Sequence, residues 1–187
     1  MKRKWKVFKD YYLKIAILVV AVLIFICYAR INRKENVLQI IMMDVRCPME
    51  QQEEFERKTG EVIGLDSRKE FVELAFCHSE EMFVTIMVND KVDMFLMNEA
   101  YFEMMLSQDC LSPMDDLLKN EAGQEILQNQ EKVFRGKDGK IYGISVIGSP
   151  WIQQFELEST DDIILGIVDN GPNDHNTDTF VRFLLEE

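Results

Sequence analysis

Residues 37–60 read VLQIIMMDVRCPMEQQEEFERKTG. Val37 to Asp44 is a short, nearly continuous apolar run, the pattern of a strand buried on both faces of a parallel sheet. Pro48 suits the first turn of a helix, where its missing N–H would be unsatisfied anyway. Met49 to Thr59 continues with good helix formers, and Gly60 is placed to cap the helix at its C-terminal end.

The same alternation continues outward from this stretch. Glu70 to Phe76 reads as a second strand, and Ser79 as the cap of a helix with Glu80 and Glu81 in its first turn and Met82, Phe83, Ile86 and Met87 as its apolar face. Val92 to Met97 is a third strand, Ala100 to Leu106 a helix, and Pro113 precedes a short helix ending at Leu118. Lys137-Asp138-Gly139-Lys140 is a turn leading into a strand from Ile141 to Val146. Asp162 to Val168 is the next strand; Pro172 and Asn173 then introduce a helix in which Phe180, Val181, Leu184 and Leu185 share a face. Strands alternating with helices imply an α/β domain with an open, mostly parallel sheet flanked by helices.

Ahead of this domain the chain changes character. Lys2, Arg3, Lys4, Lys6, Lys9 and Lys14 precede the uncharged run Ile15 to Ala29, and Arg30, Arg33 and Lys34 follow it. Six basic groups before and three after orient the N-terminus toward the cytoplasm. Fifteen helical residues cover only about 22 Å of a hydrocarbon core of roughly 30 Å. Snorkelling by Lys14 adds Tyr11, Tyr12 and Leu13 to the apolar length, and Trp5, Tyr11, Tyr12 and Tyr28 would then sit near the interfaces. The competing reading is a cleaved signal peptide, because Cys27-Tyr28-Ala29 puts small residues where a signal peptidase cuts. Lipid attachment at Cys27 is disfavoured by the bulky Ile24, Phe25 and Ile26 before it. The expected organisation is a cytoplasmic basic segment (1–14), a transmembrane anchor or signal peptide (15–29), a linker (30–36) and an extracytoplasmic domain (37–187).

The charge is divided in the same way. The first 36 residues hold nine of the 21 Lys and Arg but only Asp10 and Glu35 of the 33 acids, which leaves 12 basic against 31 acidic side chains beyond them, a net of −19. Such a surface repels phosphate backbones and anionic lipid heads, so nucleic acid is not an expected partner and the domain should stand off the membrane.

Several stretches, in this order, resemble the bacterial extracellular solute-binding proteins of ABC importers, of the family 1 type. Phe55-Glu56-Arg57-Lys58-Thr59-Gly60 is similar to that family's FExxTG signature, Val92 to Met97 to its "DV" strand, and Leu111 to Leu117 to its L-x-P-L-D-D-L element. Asp138 to Val146 resembles its DGK-x-YG-x-P-V strand, with Ser145 where the family usually has proline. Gly166 to Val168, Gly171-Pro172-Asn173 and Phe180 to Leu184 resemble the strand, turn and helix with which such proteins rejoin their first lobe. In that family a second lobe is built between the last two of these regions, whereas here only Ile147 to Asp161 separates them. The resemblance therefore implies a single lobe, offering half of a cleft that normally closes around its solute.

Ligands of open α/β sheets sit at the carboxyl ends of the strands. That edge should carry Asp44, Arg46, Asn98, Glu99 and Tyr101, with Trp151 after the YG strand; sugar-binding relatives stack aromatics on the solute, which singles out Tyr101 and Trp151. With the strand order that the resemblance implies, Cys47 and Cys77 both follow neighbouring strands, and a disulfide between them is a candidate, with buried free thiols the alternative.

Catalytic chemistry has little to stand on. The chain has two histidines, His78 and His175, and no Gly-rich phosphate loop, HExxH helix or GxSxG elbow. Asp169 to His175 has the composition of a calcium loop without its spacing. A non-enzymatic, membrane-anchored binding module without a cofactor is the expectation, taking a small solute such as a sugar or oligopeptide and docking on an ABC permease or another membrane partner. The alternative is a scaffold or protein-interaction domain that no longer binds a small solute.

Overall fold

The computed structural model describes residues 2–31, 34–89, 92–128, 132–169 and 171–186. The chain divides into two compact units, Met1–Glu35 and Asn36–Glu187. The first unit is one helix, α1 (Lys2–Ile31). Its described apolar side chains, among them Ile17, Leu18, Val22, Leu23, Ile24 and Phe25, are exposed. Among the described residues no helix is long and apolar enough to cross a membrane. The side chains of Trp5 and Tyr11, residues 32–33 of the expected linker, and Asn170 of the loop before His175 lie outside the described residues.

The second unit is a mixed α/β domain. Its elements are β1 (Glu35–Met43), α2 (Met49–Val62), β2 (Glu70–Cys77), α3 (Glu80–Asn89), β3 (Met94–Met97), α4 (Glu99–Ser107) and β4 (Leu111–Ser112). A 3-10 turn (Leu117–Lys119) precedes α5 (Glu121–Gln128), β5 (Val133–Arg135), β6 (Ile141–Ser145), α6 (Pro150–Gln153), β7 (Ile164–Val168) and α7 (Asp174–Glu186).

The sheet order is β2-β1-β3-β7-β6-β5, with β4 beside β7. β1 and β3 pair in parallel, Ile40 opposite Met94 through Met43 opposite Met97. β2 runs alongside them, because the Asp44 N–H donates to the Cys77 carbonyl at 3.3 Å and so joins the carboxyl ends of both strands. β7 enters antiparallel between β3 and β6, and β5 returns antiparallel on β6. Five strands therefore share a direction while β7 and β5 oppose it, so the sheet is more mixed than the strand-helix alternation implies.

The apolar run of β1 is explained by two cores. Leu38, Ile40 and Met42 face the layer that holds Phe55, Phe180 and Leu184 of α2 and α7. Ile41 and Met43 face the layer of Phe83, Ile86, Phe102 and Met105 on α3 and α4. Each residue from Leu38 to Met43 is thus buried on one side or the other, which erases the polar alternation of a half-exposed sheet.

Local details differ from expectation where packing outweighs propensity. α2 runs through Gly60 to Val62, and the glycine serves close approach: a Cβ there would collide with the Leu65 side chain. Ser79 caps α3 through its Oγ, which accepts from Met82 N–H at 3.2 Å, but Met82 is exposed rather than part of the buried face. β4, β5 and α6 are too short, at two to four residues, for their sequences to carry a period.

One buried carboxylate ties the domain together. Asp93, at the start of β3, accepts from Gln39 N–H at 2.7 Å, Asn173 N–H at 2.9 Å and Asn173 Nδ2 at 3.0 Å. Asn176 Nδ2 donates to the Val37 carbonyl at 2.8 Å, so the first turn of α7 is held against the first strand.

Candidate functional site

The carboxyl ends of β1 and β3 lie side by side, and the residues that follow them meet. Asp44 turns out of β1 with φ 55°, a left-handed conformation that Asp tolerates better than most residues. Asn98 follows β3 with extended backbone and caps α4: its Oδ1 accepts from Tyr101 N–H at 3.0 Å. The other side of the same amide donates from Nδ2 to Asp44 Oδ2 at 2.8 Å. Asn98 is 5% exposed, and its backbone N–H donates to the Met43 carbonyl at 3.3 Å. A buried amide with both ends engaged has one orientation, so it fixes the exposed Asp44 carboxylate at the rim. Glu99 is exposed in the first turn of α4, and Tyr101 is half-buried against the α3/α4 core layer.

The remaining expected residues are placed otherwise. Arg46 is exposed, and its backbone forms an antiparallel bridge with Glu158, with N···O distances of 2.8 and 2.9 Å. Trp151 is core. It is 4% exposed, with ring centroids 4.8 Å from Phe55, 4.7 Å from Phe155 and 5.1 Å from Phe180. The proline-started turn of α6 directs it inward, where it fills the space between α2 and α7, so it does not face a solute at the edge.

The Cys47–Cys77 disulfide is also corrected. Both are free thiols, buried on opposite faces of the sheet: Cys47 packs in the layer of Phe55, and Cys77 in the layer of Phe83. Their strands are neighbours, but Cys47 lies four residues past the end of β1, where the chain has crossed to the α2 side. Burial, reinforced by Glu50 and Glu56, pushes the Cys47 thiol up to about 11. Thiol titration of the denatured chain should give the same four groups with and without reductant, with Cys47 and Cys77 unreactive until unfolding. A deficit of two without reductant would restore the bridge.

Two features of the site were not foreseen. At the carboxyl end of β6, Ser145 Oγ donates to Asp162 Oδ1 at 2.6 Å, and that oxygen also accepts from Ile163 N–H at 2.8 Å. Beside it opens a cavity of about 610 Å³ bordered by Lys132, Ser145, Ser149, Leu184 and Glu186. Within it the Ser149 hydroxyl is buried and has no hydrogen-bond partner among the described residues. A second cleft, about 570 Å³, lies by the last turn of α4 and the turn into β6, lined by Glu103, Asp109, Lys137, Asp138, Tyr142 and Asp169. Among the described residues no group of three His, Cys, Asp or Glu side chains is placed to hold a metal ion. His78 is exposed and stacks on Phe76 at 6.4 Å, and His175 is exposed in the first turn of α7.

No family model matches the sequence, and no curated protein matches it either. Among solved structures, two are of an N-glycan transport solute-binding protein (NgtS) from Streptococcus pneumoniae. The one with Man5GlcNAc aligns at 12% identity and TM-score 0.38, covering 60% of this chain and 26% of that one. The one with Man1GlcNAc aligns at 12% and 0.39, covering 62% and 25%. The chain thus spans about a quarter of the length of these proteins. The substrate-binding domain of a protein described as a molybdenum ABC transporter, from Clostridium difficile, aligns at 12% identity and TM-score 0.41, covering 82% of this chain and 93% of that one. Similarity of this degree decides neither ligand nor partner.

Proposed function

We propose that this chain is a membrane-anchored, non-enzymatic binding module, a single solute-binding-like lobe that presents the carboxyl edge of its sheet on the outer side of the membrane. The observation that carries the reading is the Asp44–Asn98 pair, a rim carboxylate held by a buried amide that is engaged at both its oxygen and its nitrogen, at the ends of two parallel strands. Rigidly placed polar groups at this edge are what recognition of a polar solute requires. The family resemblance of residues 55–60, 92–97 and 138–146 supports the same reading, as does the uncharged run Ile15 to Ala29 between basic flanks for the anchor. A sugar or oligopeptide is the proposed ligand class, and an ABC permease or another membrane protein the proposed neighbour that completes the half-cleft.

The test is a thermal-shift screen of the full chain in detergent against sugars and oligopeptides. A ligand at a hundred times its Kd should stabilise the domain by about 2.7 kcal/mol. Asp44→Asn keeps a residue that tolerates the left-handed backbone and removes only the charge, so it should weaken binding about tenfold, or about 1.4 kcal/mol, with little change in the unliganded melting temperature. A blank screen, or a shift unchanged in Asp44→Asn, would sink the proposal.

A further inference from the structure

β2 is the outer strand of the sheet, eight residues long, with one strand neighbour, β1, among the described residues. Its sequence, EFVELAFC, contains no proline. A free edge of this length is a template for pairing, and proteins normally blunt it. Among the described residues Glu56, from α2, covers this edge, accepting the Leu74 N–H at 3.0 Å. That bond identifies Leu74 as a residue whose N–H points away from β1. Beside the same edge α3 exposes Met82, Val84 and Val88, at 43%, 58% and 77%.

The edge is complementary to itself. Antiparallel pairing of two copies about Leu74 sets Val72 opposite Phe76, Glu70 opposite His78, and the exposed Arg68-Lys69 turn of one copy toward the exposed Glu81 of the other. Opposite charges meet at both ends and apolar residues in the middle, and no like charges face each other. Centring the pair on Val72 instead sets Glu70 opposite Leu74 and Arg68 opposite Phe76, which loses the match of the Arg68-Lys69 turn with Glu81. An antiparallel pair relates its two sheets by an axis perpendicular to them, so both α3 helices lie on one face, where their exposed apolar residues flank the seam.

We infer that the outer edge of β2 is a self-association surface, on which β2 of a second copy of this chain pairs antiparallel about Leu74, and that Glu56 holds the edge closed in the single chain. Pairing requires the Glu56 carboxylate to give up the Leu74 N–H to the carbonyl of the partner's Leu74.

The test is a paired-cysteine experiment on the full chain in detergent, with Cys27 and Cys110 replaced by serine. In the variant Glu70→Cys/His78→Cys the two thiols of one chain lie about 26 Å apart along the strand, at about 3.3 Å per residue, so they can join only between copies. Mild oxidation should give a covalent dimer in the double variant and not in either single variant. Adding Glu56→Ala should tighten association about tenfold. Arg68→Glu/Lys69→Glu should abolish the dimer, and mixing that chain with Glu80→Lys/Glu81→Lys should restore it. The inference is overturned if chains folded by circular dichroism give no covalent dimer even with Glu56→Ala, or if single variants cross-link equally. It is also overturned by an oligomer that fails to link at these positions and is lost when the apolar run of α1 is interrupted, which would assign the contact to α1.

Discussion

Trp151→Ala should lower the unfolding free energy by about 3–5 kcal/mol, the usual cost of truncating a large buried aromatic. The indole is 4% exposed and makes edge-to-face contacts with Phe55 at 4.8 Å and Phe180 at 5.1 Å, so its removal opens a cavity that α2 and α7 share. Urea unfolding followed by circular dichroism measures the loss. The result also separates packing from recognition: a ligand-facing tryptophan would cost binding and leave stability near the wild-type value. A loss below about 1 kcal/mol would show that the aromatic cluster does not carry this layer.

Asp93→Ala should cost about 2–5 kcal/mol, because it strands the buried Gln39 N–H and the half-buried Asn173 donors, each worth about 1–3 kcal/mol when left unsatisfied. Asp93→Asn keeps an acceptor and should fall between Ala and wild type. The pH dependence supplies an independent signature. Burial raises the Asp93 carboxyl above its ordinary 3.8, against the lowering effect of its hydrogen bonds to Asn173 and Gln39. A group whose folded value is raised binds its proton more readily in the native state, so it adds stability that is fully present below about 3.8 and is lost as pH rises through the raised value. Wild type should therefore gain stability relative to Asp93→Ala as the pH is lowered from neutral toward 4. A constant difference across that range would assign the Asp93 effect to hydrogen-bond geometry alone.

The order of the main elements could be read from the sequence because burial imposes it. β1, β3 and β7 are continuous apolar runs, and α7 shows its stripe of Phe180, Val181, Leu184 and Leu185. The direction of β7 could not be read from periodicity, since a strand covered on both faces has the same pattern whichever way it runs. The rim pair was half legible. Asp44 and Asn98 follow from the rule that sites lie at carboxyl ends, but the hydrogen bond between them depends on which strands are neighbours. Trp151 and the two cysteines misled for a common reason: position along the chain gives the end of a strand but not the side of the sheet to which the next turn carries a side chain. Cys47 and Cys77 are sequence analogues at adjacent strand ends, and the structure buries them in different layers.

β7 is synthesised after the strands on either side of it and lies between them, with β3 and β6 as its neighbours. Until it has emerged, β3 and β6 have no hydrogen-bonded contact with each other, and Asp93 has no Asn173 to meet. A chain that emerges from its N-terminal end therefore cannot complete this sheet strand by strand in sequence order. It must wait, with most of its apolar strands uncovered, for a closing step that spans nearly the whole domain. Such a step favours all-or-none maturation, and makes the interval between synthesis and closure the period in which the chain depends most on protection from aggregation.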